Sequence, residues 1–192
     1  MRILQLVWNR MEAYGGMQSH IRAMSAALER LGAQVIRYEL PSRNPYHRVF
    51  PGDSPRLPLQ DVAAVLEHIV DAEDIDSIDT HNLLAGHAPG VPAVVAECGK
   101  KRGLPHLTTV HDMPNGEVIS AAHRTETEAI LRSATVIVTS DANYRAFAEL
   151  FWLPAAIIPP ATDFSAFSSV GPPDPRTIAY PGRLVPYNIR VR

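Results

Sequence analysis

The chain has 192 residues, of which 46% are apolar and 20% charged, enough for one domain with a full core. A formal net charge of −2 gives no basic surplus for nucleic acid, and the lone cysteine, Cys98, excludes an internal disulfide and fits a reducing, cytoplasmic setting. No stretch approaches the ~18 consecutive apolar residues of a membrane-spanning helix.

Met1 to Val7 starts like a strand and lacks the apolar region and cleavage site of a signal peptide. Ile3 to Trp8 suits a buried parallel strand, and a Gly15-Gly16 break follows it. Ile21, Met24, Leu28 and Leu31 then recur at helical spacing, with Gly32 as the stop. Val35 to Leu40 reads as a second strand. Pro41 to Pro58 holds five prolines and three arginines (Arg43, Arg48, Arg56) and reads as a long loop, suited to function or motion. Val62, Val65, Leu66, Ile69 and Val70 mark an amphipathic helix. A short, polar third strand, Ser77 to Thr80, has His81-Asn82 just past its end.

Val91 to Cys98 reads as a helix with Lys100-Lys101-Arg102 in its last turn, where cations suit the helix dipole, and Gly103 as its stop. His106 to Val110 is a fourth strand that ends in His111-Asp112. Glu126 to Arg132 is helical, Thr135 to Thr139 is a strand, and Ser140 is placed to cap a helix over Asp141–Phe151. Ala155 to Ile158 makes a sixth strand. Strands alternate with helices throughout, which predicts an α/β domain: a Rossmann-like parallel sheet with helices on both faces. A first domain is expected over residues 1–169. Residues 170–192 are expected to hold a proline-rich linker and one further strand, Thr177–Tyr180.

In open α/β sheets, ligands bind beyond the carboxyl ends of the strands. Gly15-Gly16, His81-Asn82, His111-Asp112 and Ser140 all fall at such ends. Two glycines before a helix let backbone approach an anion such as a phosphate, and equally make a tight turn. His111 suits a sugar-hydroxyl contact or a base, and suits a structural role as well. His81 admits the same two readings, and Asp112 either orients His111 or begins a turn. Neither G-x-G-x-x-G nor G-x-x-x-x-G-K-[ST] is present, which argues against a dinucleotide or P-loop enzyme. The eight histidines show no HExxH and no zinc-like spacing with Cys98, so no metal site is expected. Trp8 and Trp152 are expected to pack in or against the core.

Taken in order, these segments resemble family-4-type glycosyltransferases of the GT-B architecture. Gly15-Gly16-Met17-Gln18-Ser19-His20 is similar to the family's GG-x-E-x-H loop, with Gln18 where Glu is commoner. Asp76 to Asn82 is similar to its D-[IV]-[IV]-H-x-H-N strand, with Asp79 in place of the first His. Thr108 to Asp112, Val136 to Ser140 and Ile158 to Asp163 resemble further family segments, with Ala161 where a Gly is usual, and Gly182-Arg183-Leu184-Val185-Pro186 resembles the GRL-x-P opening of the second half.

The resemblance implies two Rossmann-like domains facing across a cleft, the first binding the acceptor and the second the nucleotide-diphosphate-sugar donor. It implies sugar transfer with retention and without a metal or other cofactor. His111 is then expected to be catalytic, beside the reacting carbon of the donor sugar. Gly15, Gly16, His81, Asp112 and Arg183 are expected to bind substrate, with Arg183 on the leaving diphosphate. The family's Lys after Arg183 and its E-x7-E pair do not appear, Asn188-Ile189 standing where Lys-Gly is expected. The expectation is therefore one half of a GT-B enzyme, truncated at the start of the donor domain and inactive alone. Expected partners are the donor, an acceptor, and either a donor domain or a second copy on the cleft face, and not nucleic acid. The alternatives are a non-catalytic partner-binding module and half of a GT-B nucleotide-sugar epimerase.

Overall fold

The computed structural model describes residues 1–7, 16–40, 61–82, 90–111 and 121–160. All belong to one compact unit, Met1–Ala161. The expected boundary at 169/170, the strand Thr177–Tyr180 and the loop Pro41–Pro58 lie outside the described residues.

Among the described residues, six strands form one parallel sheet: β1 (Arg2–Val7), β2 (Gln34–Glu39), β3 (Ser77–His81), β4 (His106–Val110), β5 (Thr135–Val138) and β6 (Ala156–Ile157). Their order is β2-β1-β3-β4-β5-β6, and every neighbouring pair is parallel. The described helices between them are α1 (Gly16–Arg30), α2 (Val62–Ala72), α3 (Val91–Arg102), α4 (Ala121–Ser133) and α5 (Asp141–Phe151). The packing clusters put α1 on one face of the sheet and α2 to α5 on the other, as right-handed crossovers require when the chain reverses direction across the sheet after β2.

The second face holds the main core. Leu4, Leu6, Ile78, Val110, Val136 and Val138 pack there with Leu66, Val95, Ile130 and Phe147, every one of them buried. Among the described residues, the face under α1 carries a small apolar cluster, Val7, Met17 and Ile21.

Most element boundaries follow from local chemistry. Gly32 (φ +86°) and Gly103 (φ +63°) adopt the left-handed conformation that ends a helix, as expected of both. Ser140 caps α5 by accepting a hydrogen bond from the Asn143 backbone N–H at 3.2 Å. The basic run at the end of α3 is structural. Lys101 Nζ pairs with Glu67 Oε1 of α2 at 2.7 Å, and Arg102 grips the Asp71 carboxylate.

Three expectations are corrected. The buried stripe of α1 is Met17, Ile21 and Ser25, whereas Leu31 is 85% exposed and Met24 is half-buried. A serine in that stripe hides the stripe's register from a hydrophobicity reading. Trp152 is not packed in the core. It ends α5 in the left-handed conformation (φ +54°) and is 85% exposed. His81 is the last residue of β3 rather than the first beyond it, and it is fully buried.

Candidate functional site

The strand order reverses between β1 and β3, which opens a crevice at their carboxyl ends. Three histidines meet there. His20 comes from the first turns of α1, His81 from the end of β3 and His111 from the residue after β4. One ring nitrogen from each lies within 4.8 Å of the other two. The His81 and His111 rings stack with centroids 5.3 Å apart, and His20 meets both edge-on, at 6.0 and 5.1 Å.

A polar row under α1 holds this cluster. The register places Arg37, Gln5 and Asp79 side by side across β2, β1 and β3. Arg37 Nε donates to Gln5 Oε1 at 2.7 Å, and Gln5 Nε2 donates to Asp79 Oδ2 at 3.0 Å. Ser25 of α1 lies 3.1 Å from Gln5 Oε1 and accepts from Arg37 Nη2 at 2.7 Å. Asp79 and His81 are two apart on one strand, so they share a face, and His81 Nε2 lies 3.0 Å from Asp79 Oδ2. His81 Nδ1 in turn lies 3.0 Å from His111 Nε2.

These contacts fix the tautomers. A carboxylate only accepts, so a neutral His81 ring carries its proton on Nε2 and offers a lone pair at Nδ1. His111 must then donate from Nε2, which leaves its own Nδ1 as an acceptor. Burial, followed by repulsion from His81 and His20, lowers the His111 pKa to about 3 against a weaker pull from Asp79. The His20 pKa is also lowered, first by burial and then by His81, with Asp79 opposing. His111 is therefore a neutral ring at physiological pH, able to hydrogen-bond a ligand but not to neutralise one.

The His111 backbone is held on both sides. Its N–H donates to Asn82 Oδ1 at 2.7 Å, and its carbonyl accepts from Asn143 Nδ2 at 2.8 Å. Asn82 adopts a positive φ of +49°, a conformation asparagine tolerates better than most residues. Asn143 also donates to Thr139 Oγ1 at 2.9 Å, which ties β5 and α5 to the end of β4.

Of the residues expected in the site, the structure brings His81 and His111 together and starts α1 at Gly16. Gly15, Asp112 and Arg183 lie outside the described residues. Ser140 serves as a helix cap. Sequence reading missed the supporting set of Gln5, Ser25, Arg37, Asp79 and Asn143. The signal was available in β3, where a strand buried at all five positions carries an acid and a histidine two residues apart.

The sequence profile of Glycosyltransferase Family 4 matches residues 14–166. A comparison with curated protein sequences finds no match. Among solved structures, the fold is similar to an alpha-glucosyltransferase in complex with UDP and a 13-mer DNA containing an HMU base. That likeness has 17% identity and a TM-score of 0.61, over 85% of this chain and 43% of the other. An alpha-glucosyltransferase in complex with UDP-glucose and DNA containing an abasic site is similar at 17% identity and TM-score 0.57, again over 85% and 43%. An alpha-glucosyltransferase in complex with UDP matches at 16% identity and TM-score 0.55, over 78% and 38%. This chain therefore spans less than half the length of these three structures. Among the described residues, no helix is long and apolar enough to cross a membrane. With a family profile covering most of its length and a parallel sheet of the same fold, the chain belongs to glycosyltransferase family 4.

Proposed function

We propose that residues 1–169 are the acceptor-binding half of a glycosyltransferase that moves a sugar from a nucleotide-diphosphate donor with retention of configuration. The observation that carries this reading is His111. It sits at the crevice where the strand order reverses, its backbone is clamped by two asparagines, and its ring is fixed by His81 and Asp79.

In this reading the neutral His111 ring accepts a hydrogen bond from a hydroxyl of the donor sugar, close to the reacting carbon. The bond from that carbon to the diphosphate oxygen breaks, and a bond to the acceptor oxygen forms on the same side. The acceptor proton leaves with the diphosphate. The amides of Gly15 and Gly16 face the diphosphate, helped by the positive end of α1. Asp112 completes the sugar side, and His81, buried with both ring nitrogens engaged, acts only by orienting His111. Arg183 offsets the charge of the leaving group, and a donor domain supplies the rest of the nucleotide site. No metal is needed for this step. The net charge of −2 does not favour nucleic acid as the acceptor.

Purified chain incubated with a panel of nucleotide-sugars and glycoside acceptors should show no transfer. The same chain joined to the donor domain of a family-4 enzyme should show transfer with retention, lost in His111→Ala. Transfer by the isolated 192-residue chain would overturn the half-enzyme reading. Unchanged transfer in the His111→Ala fusion would overturn the role of His111.

A further inference from the structure

We propose that His20, His81 and His111 form a binding site for one late first-row divalent cation of the zinc type. The site shares His111 with the sugar-transfer reading, and a bound cation excludes the acceptor role that reading gives the ring. Zinc bonds to imidazole nitrogen at about 2.0–2.1 Å, so a tetrahedral ion sets its ligand nitrogens roughly 3.3 Å apart. The facing nitrogens of His81 and His111 are 3.0 Å apart, and all three rings offer a nitrogen within 4.8 Å of one another. Binding requires side-chain rotation to close the remaining gap to that spacing. His20 and His81 are buried and His111 is partly exposed, so His111 is the ligand nearest solvent.

The surroundings match a metal centre in a second respect. Metal-binding histidines characteristically donate their far N–H to a carboxylate, which fixes the ring and raises its basicity. His81 does this through Nε2 to Asp79, and Asp79 is itself held by Gln5, which Arg37 holds in turn. An all-imidazole set favours zinc, copper, nickel or cobalt and disfavours magnesium or calcium, which require oxygen ligands. The three residues are distant in sequence and show none of the usual spacing patterns. The strand reversal between β1 and β3 brings them together. A bound cation also has a defined consequence for His111. With Nε2 on the metal, the neutral ring must carry its proton on Nδ1, which turns the free edge of the ring from acceptor to donor.

The chelator-treated chain is titrated with Zn2+ against a chromophoric chelator, and with Co2+ followed by visible absorption. One equivalent should bind, with the intense Co2+ bands of a four-coordinate site. His20→Ala should abolish this binding, and Asp79→Asn should weaken it about 10–100-fold. Imidazole nitrogen spectra of the unsubstituted chain supply a control that no folding defect can confound. Zn2+ should shift His20, His81 and His111 and leave His68 and His106 in place. Absence of a one-equivalent phase would overturn the proposal, as would binding that survives His20→Ala or shifts confined to other histidines.

Discussion

On one side of β1 and β3, Leu4, Leu6 and Ile78 join Phe147 and Leu66 in a continuous apolar core. On the other side, one residue along the same strands, Gln5, Asp79 and His81 join Arg37 and Ser25 in a hydrogen-bonded row. Both sides are buried, but they use burial differently. The apolar side gains from removing surface from water and depends little on orientation. The polar side gains little net energy from its hydrogen bonds. It does impose orientation, because each buried donor must find its acceptor. The site residues hang from the polar side, so stability and positioning are separated across a single sheet.

The strongest way to sharpen this contrast is to damage the apolar side. Phe147→Ala empties a fully buried ring site and should cost about 3–5 kcal/mol in urea unfolding. Asp79→Asn, on the polar side, should cost less, about 1–3 kcal/mol, while changing the ring-nitrogen shifts of both His81 and His111. If it instead destabilises as much as Phe147→Ala and leaves those shifts alone, the contrast breaks. Ser140→Ala removes the cap of α5 and should cost about 1 kcal/mol by thermal unfolding.

His106 provides a pH test on the apolar side. Burial, opposed only by Asp79, lowers its pKa to about 4, and its Nδ1 is buried without a partner. The unfolded chain therefore binds more protons at this residue between pH 6.5 and about 4. Stability is full above 6.5 and falls as pH drops through that window, by about 1 kcal/mol from this group between pH 6.5 and 5.5. His106→Gln should flatten that part of the urea-midpoint profile, and an unchanged profile would refute the assignment. The smallest effect is expected at the surface. Lys101→Ala breaks a largely exposed pair with Glu67 and should change stability by about 0.5 kcal/mol or less.

The order of strands and helices was legible because alternating apolar strands and helical spacing are local properties. The helix over Asp141–Phe151 and the strand His106–Val110 match expectation residue for residue. Gly32, Gly103 and Ser140 could be read for the same reason, since a stop or a cap acts on its own neighbours. The site was only half legible. His81 and His111 stand at strand ends, where sequence reading looks for ligands. Arg37, Gln5 and Asp79 form a row only through inter-strand register, which no local pattern encodes. His20 joins the other two histidines through sheet order alone. Trp152 misled because an aromatic residue near a helix end reads as packing, whereas here the helix ends with that ring turned to solvent.

The bond from Asn143 to the His111 carbonyl spans 32 positions of sequence. It has a consequence in time as well as in space. A ribosome releases β4 and His111 well before Asn143 leaves the exit tunnel. During that interval the strands from β1 to β4 are free to pair, but nothing holds the carbonyl end of His111 in place. The crevice therefore acquires its final shape only when α5 docks, among the last described events of synthesis. Any shortened chain that stops before residue 143 retains all three histidines yet lacks this anchor.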